Sequence, residues 1–261
     1  MTASRDTPVV LLHGVGLDRS MWQSTTARLA QRGRDAVALD LPGHGAQPPL
    51  TSKTSLRELA EDVLARMPEG ESHLVGFSLG ALIAQHIARY FPERIASLTS
   101  VSSVCQRTPE ESASVLERLE TARCDIQAST ERSIHRWYPQ GTTVSAEEIA
   151  ETRRILEAND PDSFLYAYEV FATGDQELAD ELQRIHAPAL AITGELDPGS
   201  TPEMTRRLAA AIPGCRASIV PDARHMLPLE ATDTFVAELN TLFDAANSDD
   251  ATTDNLDKEL R

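Results

Sequence analysis

The sequence predicts an α/β fold, a mostly parallel sheet of about six strands flanked by helices, with a helical insertion over one end of the sheet. Three observations carry this reading. Short continuous apolar runs alternate with amphipathic stretches along most of the chain. Several of the runs end in turns that hold glycine, histidine or a carboxylate. One long stretch between two runs has no strand pattern. Continuous apolar runs read as strands buried on both faces, and strand–helix alternation as a parallel sheet covered on both sides.

The first run, Pro8-Val9-Val10-Leu11-Leu12, stops at His13-Gly14. Ala36-Val37-Ala38-Leu39 follows and ends in Asp40-Leu41-Pro42-Gly43-His44-Gly45. The third, His73-Leu74-Val75-Gly76-Phe77, ends at Ser78. Ile95 to Val101, Ala189 to Thr193 and Arg216 to Val220 complete the set. Between them, Leu56 to Met67 places Leu56, Leu59, Ala60, Val63, Leu64 and Met67 at helical spacing. Leu79 to Tyr90 is rich in helix formers and is closed by Phe91-Pro92. Pro202 to Ile212 and Thr232 to Asn247 also read as helices.

Arg107 to Arg184 interrupts the rhythm with pieces such as Pro109 to Cys124, Ser145 to Asn159 and Asp162 to Phe171, all helical in pattern. The expected organisation is therefore a first core part over 1–104, a helical cap over 105–186, and a second core part over 187–246. A polar, acidic tail over 247–261 is expected to be disordered.

The chain has 261 residues, enough for a single domain with a full core. Lys and Arg number 24 against 40 Asp and Glu, a net charge of −16. That balance argues against nucleic acid or an anionic membrane as partner, because both call for clustered basic residues. Cys105, Cys124 and Cys215 are too few and too scattered for a disulfide framework or a structural zinc site. No secretory leader or membrane-length apolar run is visible, so a cytoplasmic location is expected. No metal or cofactor is expected. The expected partner is a small-molecule substrate, and the oligomeric state is left open.

Gly76-Phe77-Ser78-Leu79-Gly80 follows a predicted strand and opens a predicted helix. A serine on so sharp a turn needs neighbours without side chains, and the turn lifts its Oγ above the sheet. The plainer alternative is a glycine-rich turn in which Ser78 only caps the helix. Gly194-Glu195-Leu196-Asp197 ends the fifth run and Asp222-Ala223-Arg224-His225 the sixth. The chain order Ser78, Asp197, His225, each after a strand, is the order of a nucleophile, its orienting acid and its base on a parallel sheet. Taken singly, Asp197 also suits a turn and His225 a surface position. Backbone amides of Val15, in the turn after the first strand, and of Leu79 are placed to receive an oxyanion. His13 and His44 read as structural, and Glu195, Asp222 and Asp40 as weaker candidates for the acid.

Together His13-Gly14, Asp40 to Gly45, Gly76-x-Ser78-x-Gly80, Gly194-x-x-Asp197 and His225 resemble the α/β-hydrolase fold family over about residues 8 to 245. The resemblance implies a serine hydrolase with Ser78, Asp197 and His225 as its catalytic residues. Trp22, Arg136-Trp137-Tyr138, Asn159-Asp160-Pro161, Thr201 to Met204 and Ile212-Pro213-Gly214 look like the 3-oxoadipate enol-lactonase group. Departures from the family pattern are the short lead before the first strand and Arg224 where glycine commonly precedes the histidine. The implied reaction is cleavage of a small ester or lactone, in one version a carboxylate-bearing enol lactone. Carbon–carbon hydrolysis or perhydrolysis on the same triad, and a non-catalytic binding protein of the same fold, are the alternatives. The insertion carries Arg118, Arg123, Arg132, Arg136, Arg153 and Arg154. Of these Arg132 and Arg136, which flank Trp137, are expected with Trp22 to bind substrate, the arginines through a carboxylate.

Overall fold

The structure is a computed structural model and describes residues 7–259. The first six residues lie outside it, and so does the sequence reading of the N-terminus as leaderless. Six strands form one sheet: β1 (Val9–Leu12), β2 (Ala36–Leu39), β3 (Ser72–Phe77), β4 (Ile95–Val101), β5 (Ala189–Gly194) and β6 (Arg216–Val220). Every pairing is parallel and the order is β2-β1-β3-β4-β5-β6. Val9 lies between Ala36 and His73, so β1 is flanked by both its successors and the chain reverses its direction of winding there. At such a switch point the connections leave in opposite senses and open a crevice at the carboxyl ends of the strands.

Alternation along the strands divides the core into two layers. Val10 and Leu12 of β1, Leu74 of β3 and Ala191 of β5 face one side. Val9 and Leu11, Val75 and Phe77, and Leu190 and Ile192 face the other. The first layer is closed by α2 (Leu56–Arg66), α3 (Leu79–Tyr90) and α8 (Pro202–Ala211), through residues such as Leu59, Val63, Leu82, Ile83 and Leu208. The second is closed by α1 (Gln23–Ala30) and, after the one-turn α9 (Leu227–Glu230), by α10 (Thr232–Glu259), through Leu29, Phe235, Leu239 and Phe243. On β1, β3 and β5 side chains on both faces are thus removed from water, which is why these strands read as largely apolar runs.

Between β4 and β5 lie four helices, α4 (Pro109–Cys124), α5 (Ile126–Trp137), α6 (Ala146–Glu157) and α7 (Pro161–Leu178). Their starts are written in the sequence. Thr108 with Glu111 and Ser145 with Glu148 form capping boxes, and Asp160 accepts from the Ser163 N–H. The start of the insertion is tied to its last helix by a buried ion pair. Arg107 donates to Asp175 Oδ1 at 2.6 Å and to the Ala172 and Phe171 carbonyls, and its backbone N–H donates to Asp175 Oδ2 at 2.9 Å. Its guanidinium also lies 4.9 Å from the centre of the Phe171 ring.

One expectation is corrected. The backbone is helical through Glu259, where an unstructured tail from 247 was expected. Neither glycine nor proline occurs between Thr232 and Glu259, so nothing in the sequence stops the helix. Leu260 and Arg261 lie outside the described residues. Among the described residues no helix is long and apolar enough to cross a membrane.

The side chains of Arg107 and Asp175 are 2% and 1% exposed. Asp175→Ala leaves a buried guanidinium without its counter-charge, a change that costs about 3–5 kcal/mol. For a chain of this size that is a fall in Tm of roughly 6–20 °C. Thermal unfolding followed by circular dichroism checks it; a fall of under 2 °C contradicts the assigned role.

Candidate active site

The turn from β3 into α3 places Ser78 at the top of the sheet. Ser78 has φ 54° and ψ −111°, a conformation that side chains rarely adopt and that costs roughly 1–3 kcal/mol. Its N–H donates to the Val101 carbonyl at 2.9 Å, and the Gly80 N–H to the His13 carbonyl at 3.1 Å. A Cβ on Gly80 would sit 2.5 Å from the Leu12 and His13 carbonyl oxygens, and one on Gly76 would strike the Gly80 backbone. Both glycines are therefore required for α3 to back onto β1 and β3. The Ser78 side chain caps nothing in α3, unlike Ser55, Thr108 and Ser145 on their helices. Its Oγ has no hydrogen bond among the described residues.

Asp197 and His225 meet at the ends of β5 and β6. His225 Nδ1 donates to Asp197 Oδ2 at 2.7 Å. The other carboxylate oxygen accepts from the Gly199 N–H at 2.8 Å and the Ser200 N–H at 2.9 Å, and Thr193 Oγ1 donates to Oδ2 at 3.3 Å. Asp197 therefore forms its turn and orients the histidine at once. Burial alone raises its pKa, but the His225 charge and hydrogen bond and the two amides outweigh it, and the group is held below the ordinary carboxylate range. His225 is fixed from three further sides. Ser102 Oγ donates to its carbonyl at 3.0 Å, the Phe77 ring lies 5.0 Å away, and Trp137 stacks at 5.7 Å. Glu230 accepts from the Arg224 N–H at 2.6 Å, so the residue that departs from the family pattern is itself anchored.

The loop after β1 is held by two histidines. The Leu41 N–H donates to His13 Nε2 at 2.8 Å and the Gly16 N–H to His44 Nε2 at 2.9 Å. Each Nε2 is therefore an acceptor, and each Nδ1–H donates to a carbonyl, Gly14 at 2.7 Å and Pro42 at 3.0 Å. From the cap, Asn159 Nδ2 donates to the Gly16 carbonyl at 2.8 Å. The Leu17 N–H is also engaged, by the Gly14 carbonyl. The Val15 N–H has no acceptor among the described residues, and the Leu79 N–H, at the first position of α3, has no intrahelical one.

A cavity of about 580 Å³, its open mouth included, joins these groups. Val15, Ser78, Asp197 and His225 form its floor, and Arg136 and Trp137 stand in its wall. Of the rival acids, Glu195 is exposed and accepts from the Asp222 N–H, and Asp40 takes the Arg19 and Ala46 N–H groups.

A sequence model described as the alpha/beta hydrolase family matches residues 9–239. The chain belongs to that family. Over 226 residues the hydrolase is 32% identical to the pimeloyl-[acyl-carrier protein] methyl ester esterase of Aeromonas hydrophila, covering 83% of this chain and 87% of that one. Over 231 residues it is 29% identical to the (E)-2-((N-methylformamido)methylene)succinate hydrolase of Acinetobacter baylyi, covering 87% and 86%. The crystal structure of the enol-lactonase from Burkholderia xenovorans superposes with a TM-score of 0.77 at 24% identity, covering 93% of each chain, a likeness of fold.

One expectation about substrate contacts is corrected. Trp22 is fully buried in the second core layer, between Phe77 and Phe235, and does not line the cavity. The 3₁₀ turn Arg19–Trp22 carries it under the loop rather than over it. Arg132 lines a chamber adjoining the cavity above Ser78, and Arg118 of α4, which sequence reasoning did not single out, lines both with Arg136. Sequence reasoning passed over Ser102, Thr193, Glu230 and the Asn159 contact. Ser102 and Thr193 sit at strand ends beside Asp197, which is the one signal that marks them.

Burial holds the His13 imidazole well below its usual pKa, helped by the charge of His44, and burial lowers that of His44. Both fold in the neutral form. Their contribution to stability is complete above the unfolded value near 6.5 and is lost as the pH falls from there toward the folded values. The loss approaches roughly 1.4 kcal/mol per pH unit for each histidine. Urea unfolding of the wild type and of His44→Gln between pH 7.5 and 5.5 should show the variant with the shallower loss of stability on acidification. Equal slopes contradict the neutral, acceptor form of His44.

Proposed function

We propose that this hydrolase cleaves a small carboxylic ester or lactone through an acyl-enzyme on Ser78. The observation that carries the reading is the 2.7 Å hydrogen bond from His225 Nδ1 to a buried Asp197, on the floor of the cavity that also holds the strained Ser78. With Nδ1 committed, His225 Nε2 is the nitrogen left to take the Ser78 proton. Oγ then adds to the substrate carbonyl, and the negative charge on its oxygen is received by the Val15 and Leu79 amides. Collapse breaks the bond to the leaving alkoxide, which takes its proton from His225. Water, deprotonated by the same imidazole, adds to the acyl carbon and releases the acid and Ser78. Asp197 stays ionised and stabilises the imidazolium in both halves.

The names of the relatives, a methyl ester esterase and a hydrolase of a succinate derivative, agree with acyl chemistry of this kind. Arg136, half-buried in the cavity wall beside Trp137, suits a substrate carboxylate, as in a carboxylate-bearing enol lactone. Steady-state rates on a neutral short-chain aryl ester and on such a lactone, with Ser78→Ala alongside, test the reading. Ser78→Ala should lose about 10³-fold or more of kcat on whichever is turned over. A lactone preferred by about a thousandfold in kcat/KM, some 4 kcal/mol, supports the carboxylate-bearing substrate. Equal rates leave a general carboxylesterase. Turnover undiminished in Ser78→Ala overturns the acyl-enzyme, and absence of turnover on both directs attention to carbon–carbon substrates.

A further inference from the structure

Six arginines of the cap helices α4, α5 and α6 separate into two groups. Arg123 lies 3.4 Å from Glu120 and 3.5 Å from Glu169, Arg154 pairs with Glu151 at 2.5 Å, and Arg153 pairs with Glu131. Arg118, Arg132 and Arg136 have no carboxylate partner among the described residues. Their guanidiniums donate only to hydroxyls, those of Ser114 at 2.8 Å, Thr121 at 3.3 Å and Ser133 at 3.1 Å. A shortage of acid is not the cause in a chain with 40 Asp and Glu against 24 Lys and Arg.

The three unpaired arginines line one place. A side chamber of about 240 Å³, its open mouth included, lies between α4 and α5, walled by all three together with Thr121, Ser129 and Ser133. Arg118, Ser133, Arg136 and Tyr168 line both this chamber and the cavity above Ser78, so the chamber continues that cavity away from the nucleophile. Ser129, Ser133 and Arg136 stand at i, i+4 and i+7 on α5 and form one polar stripe. Burial and the nearby charge of Arg118 lower the pKa of Arg136, the mark of a cation held against its own desolvation and a like charge. Arg118 and Arg136 are half-buried, and Arg132 is exposed. Half-buried like charges without an anion are costly to fold, and an anionic ligand removes the cost.

We propose that this side chamber is the subsite for a doubly charged end of the substrate, an ester or lactone whose far end carries a dicarboxylate or a phosphate-type dianion. One carboxylate saturates one guanidinium in a bidentate pair and would leave two cations facing each other. A dianion offers enough acceptor oxygens for all three, with the chamber hydroxyls as further donors. The placement of the ester end over Ser78 rests on the acyl-enzyme reading; the anion subsite does not require turnover to be tested.

Calorimetric titration of Ser78→Ala with butyrate, succinate, tricarballylate and 3-phosphonopropionate tests the assignment. Beyond the carboxyl that stands for the acyl end, these carry no further charge, one carboxylate, two carboxylates and a phosphonate. Tricarballylate or 3-phosphonopropionate should bind at least about tenfold more tightly than succinate. Whichever of the two is tighter identifies the terminal group. Adding Arg118→Gln or Arg132→Gln to Ser78→Ala should abolish that gain. Arg132→Lys, which keeps the charge, should retain most of it, and so should Arg123→Gln, which alters a paired arginine outside the chamber. Succinate binding as tightly as both dianions, or dianion binding undiminished in Arg118→Gln and Arg132→Gln, overturns the subsite. Because the titrations use a protein without the serine hydroxyl, failure of the acyl-enzyme reading leaves their outcome unchanged.

Discussion

The close approach of α3 to the backbones of β1 and β3 is the constraint on which the site depends. Gly76 and Gly80 permit it, and the Gly80 N–H to His13 carbonyl bond fixes it. That contact gives Ser78 its positive φ and brings the β1 loop beside it. It also sets the start of α3, and with it the position of the Leu79 amide. The remaining parts add residues to this arrangement from strands farther along the sheet. Asp197 and His225 arrive from β5 and β6, and the Ser102 hydroxyl ties the histidine's backbone to the end of β4. A local strain of a few kcal/mol at Ser78 persists because the turn is bonded on both sides.

The loop that carries Val15 is rigid for a different reason. Two neutral histidines span from it to the loop after β2, and Asn159 reaches it from the cap. Within the cap, the Arg107–Asp175 pair joins its first residues to α7, and the Arg107 guanidinium lies over Phe171, a residue of the cavity wall. Cap position, cavity shape and the loop facing Ser78 are therefore mechanically connected. Arg118 and Arg136 come from two adjacent cap helices, so the anion-binding chamber exists only while α4 and α5 stay packed.

Much of the fold was legible because strands buried on both faces leave an unbroken apolar run. That holds for β1 and β5; the edge strands β2 and β6 are partly exposed, and β4 and β6 carry polar residues, yet each lies where the strand–helix alternation places it. The turn motifs were legible because backbone crowding permits few residues there, as at Gly76 and Gly80. Helix α5 was not identified as a separate element, since Ile134 and Trp137 are the apolar members of a buried face that also holds Ser129 and Thr130. Chain adjacency to Trp137 pointed to Arg132 and Arg136 but says nothing about Arg118, which comes from another helix. Trp22 was misread because an aromatic after a strand-end loop fits a pocket wall and a core layer equally well, and only the 3₁₀ turn decides between them. The tail was read from its charge, while the absence of helix-breaking residues governs its backbone.

The central claim is a covalent intermediate on Ser78, and intact-mass spectrometry of the enzyme quenched during turnover of an activated aryl ester tests it most directly. The account predicts a mass increase of one acyl group, mapped by peptide sequencing to the segment holding Ser78, formed in the wild type and absent from Ser78→Ala. An acyl group on another residue, or hydrolysis with no adduct in a quench fast enough to precede deacylation, would contradict it.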